Sequence, residues 1–322
     1  MATFSKVNFK SLNYNTFRPH YPASFYKILS DYAIGKDPSK LPIGKSVDLG
    51  CGTGVATYPL LNISEKVIGL DLSANMIKTA NSLKQERCKE MGVESNRIEF
   101  ITGSVESLVT KGESSIFGKG DVDLISAAQC IHWFQDYPKF FEASAKSLKS
   151  GGTLAYWFYI DPIVVDYSGS ENDTKEVKIS KLHRSREIID KYLYDDPNFA
   201  GPHWEQPGRN ILREYLEEVN KNIPRDLFED IQINQFHADV ENAPFPGQND
   251  LDIVNHKLPV SAVGDYIGTN SGYHNYKEVN GEKAIDIPNQ ILKEWETELG
   301  WDKETTVEFV YNTGYTFMKR KQ

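Results

Sequence analysis

The sequence predicts an α/β protein with a Rossmann-like, doubly wound sheet and an inserted helical cap. Strand-like apolar segments alternate with helical segments over the first half of the chain, which is typical of a parallel sheet. A glycine-rich turn follows the first of these strands, as it does in α/β sheets that bind a ligand there. After Asp161 the alternation gives way to helical segments, so we expect the second half to supply the cap.

The strands of the first half are predicted where a short apolar run ends in glycine or polar residues. They cover residues 46–49, 66–71, 98–101, 122–128 and 153–158. Helices are predicted from residue 73 onward and over residues 138–148. Because parallel strands need a long crossover connection, this alternation favours parallel pairing.

The second half differs in composition and periodicity. Residues 166–181 are rich in Ser, Asp, Asn, Glu and Lys and predict a solvated loop. Residues 230–236 predict a strand, and apolar residues alternate over 306–318 as in a half-buried final strand. Helical patterns cover residues 183–194, 207–221, 260–276 and 288–299.

Composition and charge argue against several classes of protein. The formal net charge of the 322 residues is −9, whereas nucleic-acid-binding proteins usually carry a basic face. No run approaches the ~20 apolar residues that a membrane helix needs, and the first residues do not form a secretory signal. Three cysteines without a CxxC pattern predict a reduced, cytoplasmic protein with no metal site. The oligomeric state stays open.

The turn Gly50-Cys51-Gly52-Thr53-Gly54 carries the strongest functional signal. A dinucleotide fingerprint would need glycine or alanine at the position of Val55, so the turn does not match a nicotinamide-binding loop. Asp48, two residues before the turn, suits an ammonium group better than a pyrophosphate. Asp71 ends the next strand, where a carboxylate can accept both hydroxyls of a ribose. Ammonium and ribose together predict S-adenosylmethionine (SAM) as the cofactor.

The segments 48–54 and 69–73 resemble the first two motifs of class I SAM-dependent methyltransferases. In that family, residues at the positions of Ser104 and Val105 line the adenine, and the position of Gln129 lies near the methionine end. An acid is usual where this chain has Ser104. The resemblance implies cofactor contacts from Tyr14, Arg18, Asp48, Gly50, Cys51, Gly52, Gly54, Asp71, Leu72, Ser104, Val105 and Gln129.

A narrower similarity covers nearly the whole chain. Five segments look like the trans-aconitate methyltransferase group, and they span residues 14–22, 132–134, 157–162, 201–209 and 271–274. This resemblance implies formation of a methyl ester on a small polycarboxylic acid. The order of predicted strands and helices gives the domain division: a SAM-binding core with an N-terminal lid (1–160), a helical cap that binds substrate (161–230 and 237–304) and strands that complete the core sheet (231–236 and 305–318).

The candidate acceptor-site residues each have a structural alternative. His132 and Trp133 follow a strand end and are predicted to form the catalytic wall, but they could equally satisfy a loop and cap the core. Arg18 can hold the methionine carboxylate or the substrate, or lie at the surface. Arg209 shares a helix face with Arg213 and suits a polycarboxylate, although a solvated charged face has the same pattern. Further substrate contacts are predicted from Trp157, Tyr159 and Tyr273.

The predicted chemistry needs no strong base. A carboxylate with a pKa near ~4 is ionised at neutral pH, whereas an alcohol or amine acceptor would need a base, for which His132 is the candidate. The open alternatives are a phenol, an amine, or a lipid-like or foreign acid as acceptor. Two further alternatives for the protein as a whole are a non-catalytic SAM-binding module and a nicotinamide oxidoreductase, and the glycine turn matches the oxidoreductase less well.

Overall fold

The structure is a computed structural model that describes residues 18–105, 120–241 and 250–322. In these ranges eight strands form one mixed sheet. They are β1 (Ile43–Leu49), β2 (Ser64–Asp71), β3 (Ile98–Thr102), β4 (Val122–Ala128), β5 (Leu148–Tyr167), β6 (Phe228–Phe236), β7 (Val254–Pro259) and β8 (Thr306–Arg320).

Helices cover both halves of the described chain. The first three flank the parallel strands: α1 (Ala23–Ile34), α2 (Ala74–Glu90) and α3 (Tyr137–Ser147). The other six follow β5, and we call them the cap: α4 (Lys175–Asp190), α5 (Gly208–Arg213), α6 (Glu217–Lys221), α7 (Ser261–Gly268), α8 (Ser271–Asn280) and α9 (Ile287–Leu299).

The order of the strands confirms the predicted doubly wound α/β fold. The sheet runs β3-β2-β1-β4-β5-β8-β6, with β7 also paired to β8. Strands β1 to β5 are parallel, and β8 is antiparallel to β5, β6 and β7. The order reverses between β1 and β4, and ligands of such sheets bind at the carboxyl ends of the strands at this point. Leu49 and Ala128 therefore mark the expected site.

The sheet core follows from apolar runs that are buried on both faces. Val47, Leu49, Leu124 and Ile125 are all fully buried, as expected for central parallel strands. Apolar residues of the cap pack in one cluster with sheet residues such as Leu124 and Trp157. Within the cap, Trp295 of α9 is fully buried and donates from its indole N–H to the carbonyl of Ser185 in α4, 3.2 Å away.

Three local predictions were wrong. Residues 166–181 are not all loop, because α4 begins at Lys175, where Thr174 caps the helix and the polar residues face solvent. The segment 207–221 is two helices, since Tyr215 and Leu216 have positive φ angles of 56° and 60° and interrupt it. The segment 260–276 likewise divides into α7 and α8.

Two strands also differ from the predicted bounds. Strand β5 continues to Tyr167, well past the predicted end, because β8 pairs with it along this length. Strand β7 lies within the segment predicted as a helical cap. Among the residues that the structure describes, no helix is long and apolar enough to cross a membrane, and no cluster of side chains is placed to hold a metal ion.

Candidate active site

Two glycines of the turn after β1 differ in what surrounds them. Gly50 has φ +61°, and a Cβ there would lie 2.6 Å from the Cβ of Cys130, so packing requires glycine. Gly52 has φ +56°, and nothing lies within 4 Å of where its Cβ would point. Because Gly52 lines a cleft, this open space lies on the ligand side of the turn.

The cleft has a volume of about 480 Å³, counting its open mouth. It lies at the carboxyl ends of β1 and β4, where the order of the strands reverses. Its walls are formed by Arg18, Pro19, Tyr21, Asp48, Gly50, Cys51, Gly52, Thr53, Val55, Ala56, Ala128, Gln129 and Tyr159.

Asp48 is a buried carboxylate in the wall of this cleft. Its two oxygens accept hydrogen bonds from the hydroxyls of Thr57 at 2.6 Å and Ser126 at 2.7 Å. Burial raises the pKa of Asp48 to about 6, although the two hydroxyls act in the opposite direction. At neutral pH the group is therefore mostly ionised and can receive a cation.

Asp71, the last residue of β2, is hydrogen-bonded to the glycine turn. Its carboxylate accepts from the backbone N–H of Gly52 at 2.8 Å and of Ser73 at 2.7 Å. Burial raises the pKa of Asp71, and these two N–H groups lower it. A carboxylate has about four acceptor positions, so two remain for a ligand's hydroxyls.

Leu72, Ser104 and Val105 lie together beside Asp71. The backbone N–H of Gly103 donates to the carbonyl of Asp71 at 2.9 Å, which brings the residues after β3 next to those after β2. The side chain of Leu72 is 60% exposed, which is unusual for leucine, and Ser104 and Val105 are half-buried. Leu72 and Val105 therefore offer an apolar surface on which a flat ring could pack.

Gln129 connects β4 with β5 across the floor of the cleft. Its side-chain amide donates to the carbonyl of Tyr159 at 2.8 Å and accepts from the N–H of Tyr159 at 2.9 Å. Its own backbone has φ +55° and donates to the carbonyl of Trp157. These bonds fix Tyr159 against the cofactor side of the site.

Arg18 joins the cleft to the cap. Its guanidinium donates to the carbonyl of Thr269 at 3.2 Å and to the side-chain oxygen of Asn270 at 3.1 Å. It also lies over the ring of Tyr266, 4.8 Å from the centroid. Arg18 thus lies at the boundary between the cofactor cleft and the cap rather than at the open surface.

His132 and Trp133 lie behind the cleft and beneath α5. Their rings are 4.7 Å apart, and a Cβ on Gly208 would lie 2.4 Å from the ring of Trp133. His132 is 4% exposed, and its Nδ1 has no hydrogen-bond partner among the described residues. Burial and the nearby charge of Arg209 lower the pKa of His132 to about 3, so its ring is neutral.

Arg209 is held in a buried ion pair. One terminal nitrogen lies 2.8 and 2.7 Å from the two carboxylate oxygens of Asp161, which also accepts from the hydroxyl of Tyr194. The guanidinium stacks over Trp204, 4.1 Å from the ring centroid. Its Nε is buried and has no partner in the part of the chain that the structure describes.

Comparisons with known proteins agree with this geometry. The model of the "Methyltransferase domain" family matches residues 47–156. The chain is 32% identical over 242 residues to the "Probable S-adenosylmethionine-dependent methyltransferase CRG1" of Saccharomyces cerevisiae, covering 75% of this chain and 72% of the relative. The chain belongs to the SAM-dependent methyltransferases.

Two further similarities extend over most of the methyltransferase chain. A methyltransferase of Pestalotiopsis fici is 26% identical over 315 residues, covering 89% of this chain and 86% of that protein. A solved structure from Anaeromyxobacter dehalogenans, designated a type II methyltransferase, superposes with a TM-score of 0.56 at 18% identity and covers 95% of this chain and 98% of its own. The latter similarity supports the fold.

SAM is the cofactor of this family, and the cleft fits it. SAM has an ammonium group and no phosphate, and the cleft offers a buried carboxylate at Asp48 and an open glycine face at Gly52. The structure brings seven of the predicted site residues together around the cleft: Arg18, Asp48, Gly50, Cys51, Gly52, Gln129 and Tyr159.

Several predicted residues of the methyltransferase lie elsewhere. Trp157 is fully buried against Phe25, with ring centroids 5.2 Å apart, so it lies in the core beneath the cleft. Tyr273 packs within the cap, and its hydroxyl lies 3.4 Å from a carboxylate oxygen of Asp286. A Cβ on Gly54 would meet the ring of Tyr58 at 2.7 Å, so this glycine serves packing. Tyr14 lies outside the described residues.

Sequence reasoning did not single out four residues of this region. Asp161 lies within the segment 157–162 but no role is predicted for it, although it balances Arg209. Tyr194, Tyr266 and Tyr311 come from three distant segments, and no local pattern marks them. Their proximity depends on the pairing of β8 with β5 and on the packing of the cap.

Proposed function

We propose that this methyltransferase forms a methyl ester on a small polycarboxylic acid, as the similarity to the trans-aconitate group implies. The observation that supports an anionic acceptor is an excess of arginines beside Asp161. Two ion pairs, Arg209 with Asp161 and Arg186 with Asp190, balance their own charges. Two further arginines lie on tyrosines of the same region, Arg213 on Tyr194 and Arg18 on Tyr266, so the six charged side chains have a net formal charge of +2. This local charge contrasts with the −9 of the whole chain.

The state of His132 supports the same choice of acceptor. A group with a pKa of about 3 is a weak base, so it would serve poorly in deprotonating an alcohol or a protonated amine. A carboxylate acceptor needs no such step. His132 and Trp133 would then form an apolar wall that excludes water from the reacting atoms.

The cofactor would be held by the residues around the glycine turn. Asp48 would receive the ammonium group, and Asp71 would accept the ribose hydroxyls. The adenine would lie against Leu72, Ser104 and Val105. The remaining contacts with the methionine part would come from Gly50, Cys51, Gly52 and Gln129, and Arg18, between the cleft and the cap, would contact both this part and the acceptor. When bound, SAM supplies an electrophilic methyl group, and the protein's contribution is to align it with the acceptor.

The cap would supply the acceptor side of the site. Arg209 is oriented by Asp161, and the buried Nε of Arg209 and Nδ1 of His132 are left for a polar ligand group. Residues 161–230 and 237–304 would accordingly form the substrate region. All three cysteines are free thiols, which suits a protein of the reducing cytoplasm.

The decisive experiment measures transfer of a radiolabelled methyl group from SAM to a panel of acceptors. The panel contains di- and tricarboxylic acids, their neutral methyl esters, phenols and amines. We expect label only in the acids, in a form that mild alkali releases as methanol. Transfer to phenols or amines instead of acids would contradict the proposal, and SAM binding without S-adenosylhomocysteine formation would indicate a non-catalytic module.

A further inference from the structure

Three buried tyrosines meet beside the middle of β5, next to the cleft. Tyr159 lines the cleft, Tyr266 comes from α7 and Tyr311 from β8. The ring of Tyr311 lies 5.3 Å from that of Tyr159 and 5.6 Å from that of Tyr266. Each of the three is 2% exposed. The sheet and the cap thus each contribute tyrosine rings to one cluster.

Arg18 lies against this tyrosine cluster. Its Nη1 is 3.4 Å from the hydroxyl of Tyr266. The positive charge of Arg18 favours the ionised form of all three phenols. Burial has the larger effect and raises the pKa of each. The three hydroxyls therefore stay protonated at neutral pH and remain able to donate.

The cluster has the chemistry of a carboxylate-binding pocket. Burial of a hydroxyl is costly unless it has a good partner, and the hydroxyl of Tyr266 has the carbonyl of Ile160 only at 3.4 Å. Hydrogen bonds from neutral donors to an ionised acceptor are shorter and stronger than neutral ones. A carboxylate beside Arg18 could accept from the phenols and be neutralised by the guanidinium.

We propose that Tyr266 and Tyr311, together with Tyr159 and Arg18, bind the reacting carboxylate of the acceptor and determine acceptor specificity. This inference rests on the proposed function. In the transfer, a carboxylate oxygen forms a bond to the methyl carbon while the bond from carbon to sulfur breaks. The electron pair stays on sulfur, which gives S-adenosylhomocysteine and a methyl ester, and no proton moves. The donors must hold the carboxylate in place without protonating it, which a phenol can do.

The test compares Tyr266→Phe and Tyr311→Phe with the wild-type enzyme. Each change removes one hydroxyl and keeps the ring, so the fold should persist. We expect kcat/KM for a di- or tricarboxylic acid to fall by about 10- to 100-fold, with most of the change in KM. The affinity for SAM, measured by calorimetry, should stay within about twofold because Asp48 and the glycine turn are unchanged.

The matched control is Tyr192→Phe. Tyr192 is equally buried in the cap, but its hydroxyl binds Glu294 instead of facing the tyrosine cluster. Its removal should leave acid turnover unchanged. Binding of the acid to the complex of each variant with S-adenosylhomocysteine gives a second measurement, independent of turnover.

The outcomes separate this inference from the proposed function. If the wild type methylates acids and both cluster variants do so with unchanged kcat/KM, the inference is overturned and the proposed function stands. Equal losses of SAM affinity and acid turnover would also overturn it, since the cluster would then serve the cofactor. If the wild type methylates no acid, both proposals fail together.

Discussion

Arg209 and Asp161 form a buried ion pair that joins the cap to β5. The arginine side chain is 8% exposed and the aspartate side chain 1%, and the shortest distance between nitrogen and oxygen is 2.7 Å. Tyr194 donates a hydrogen bond to the same carboxylate. The charge of Arg209 is therefore already balanced inside the protein, and its replacement would affect stability as well as binding.

We expect Arg209→Ala to lower the free energy of unfolding by about 3–5 kcal/mol, because it leaves the carboxylate of Asp161 buried without its partner. Urea denaturation measures this change. Arg225→Ala is the control, since Arg225 is exposed and its removal should cost less than about 0.5 kcal/mol. Restoring part of the stability with the double variant Arg209→Ala/Asp161→Ala would support the explanation, and equal losses in the two arginine variants would contradict it.

Gly52→Val should abolish SAM binding without unfolding the protein. The new side chain would enter the open space on the ligand side of the turn, while the positive φ should cost about 1–2 kcal/mol of stability. Gly35→Val makes a comparable change of φ (+63°) in open space next to α1 and should keep SAM affinity. Calorimetric titration with SAM distinguishes the two, and binding by Gly52→Val would refute the assignment of the cleft.

SAM affinity should weaken as the pH falls below about 6. The pKa of Asp48 is about 6 in the folded protein, so at lower pH the group is protonated and cannot pair with an ammonium ion. The dissociation constant should then rise by about tenfold per pH unit until the pKa of the bound state is reached. Asp48→Asn should bind weakly at every pH and lose this dependence. A persistent dependence in that variant would assign the titration to another group, such as Asp71.

Gly208→Ala should reduce methyl transfer and leave SAM affinity intact. The added Cβ would lie 2.4 Å from the ring of Trp133 and 2.9 Å from the carbonyl oxygen of His132, so α5 must move away from them. A small displacement of positioning groups can cost about 10- to 100-fold in rate. Gly268→Ala, where nothing lies within 4 Å of the new Cβ, should behave as wild type in steady-state assays. Equal activity of both variants would show that α5 does not position the acceptor.

Features that depend on contiguous residues could be predicted from the sequence. The turn 50–54 and the strand-end acid Asp71 follow from glycine spacing and apolar runs. The structure places the turn at the switch point of the sheet and Asp71 beside it, hydrogen-bonded to Gly52. The start of α4 at Lys175 was missed because a polar surface helix has nearly the composition of a loop.

Contacts between distant segments could not be predicted in this way. Asp161 and Arg209 are separated in sequence by the whole of α4, and no periodicity relates them. Trp157 and Tyr159 are two residues apart in β5, so their side chains lie on the same face of the sheet. Trp157 is covered by α1, whereas Tyr159 lines the cleft. Which of the two faces the ligand depends on tertiary packing.

The position of β8 has a consequence for the order in which the protein can be assembled. β8 pairs with β5, β6 and β7, although all three are synthesised before it. Until β8 emerges from the ribosome, the edge of β5 that it will cover presents unpaired backbone groups, and such edges template aggregation. Pairings between segments far apart in the chain also form slowly. The antiparallel half of the sheet therefore assembles late, and nascent chains that stall before β8 would leave this edge of β5 unpaired.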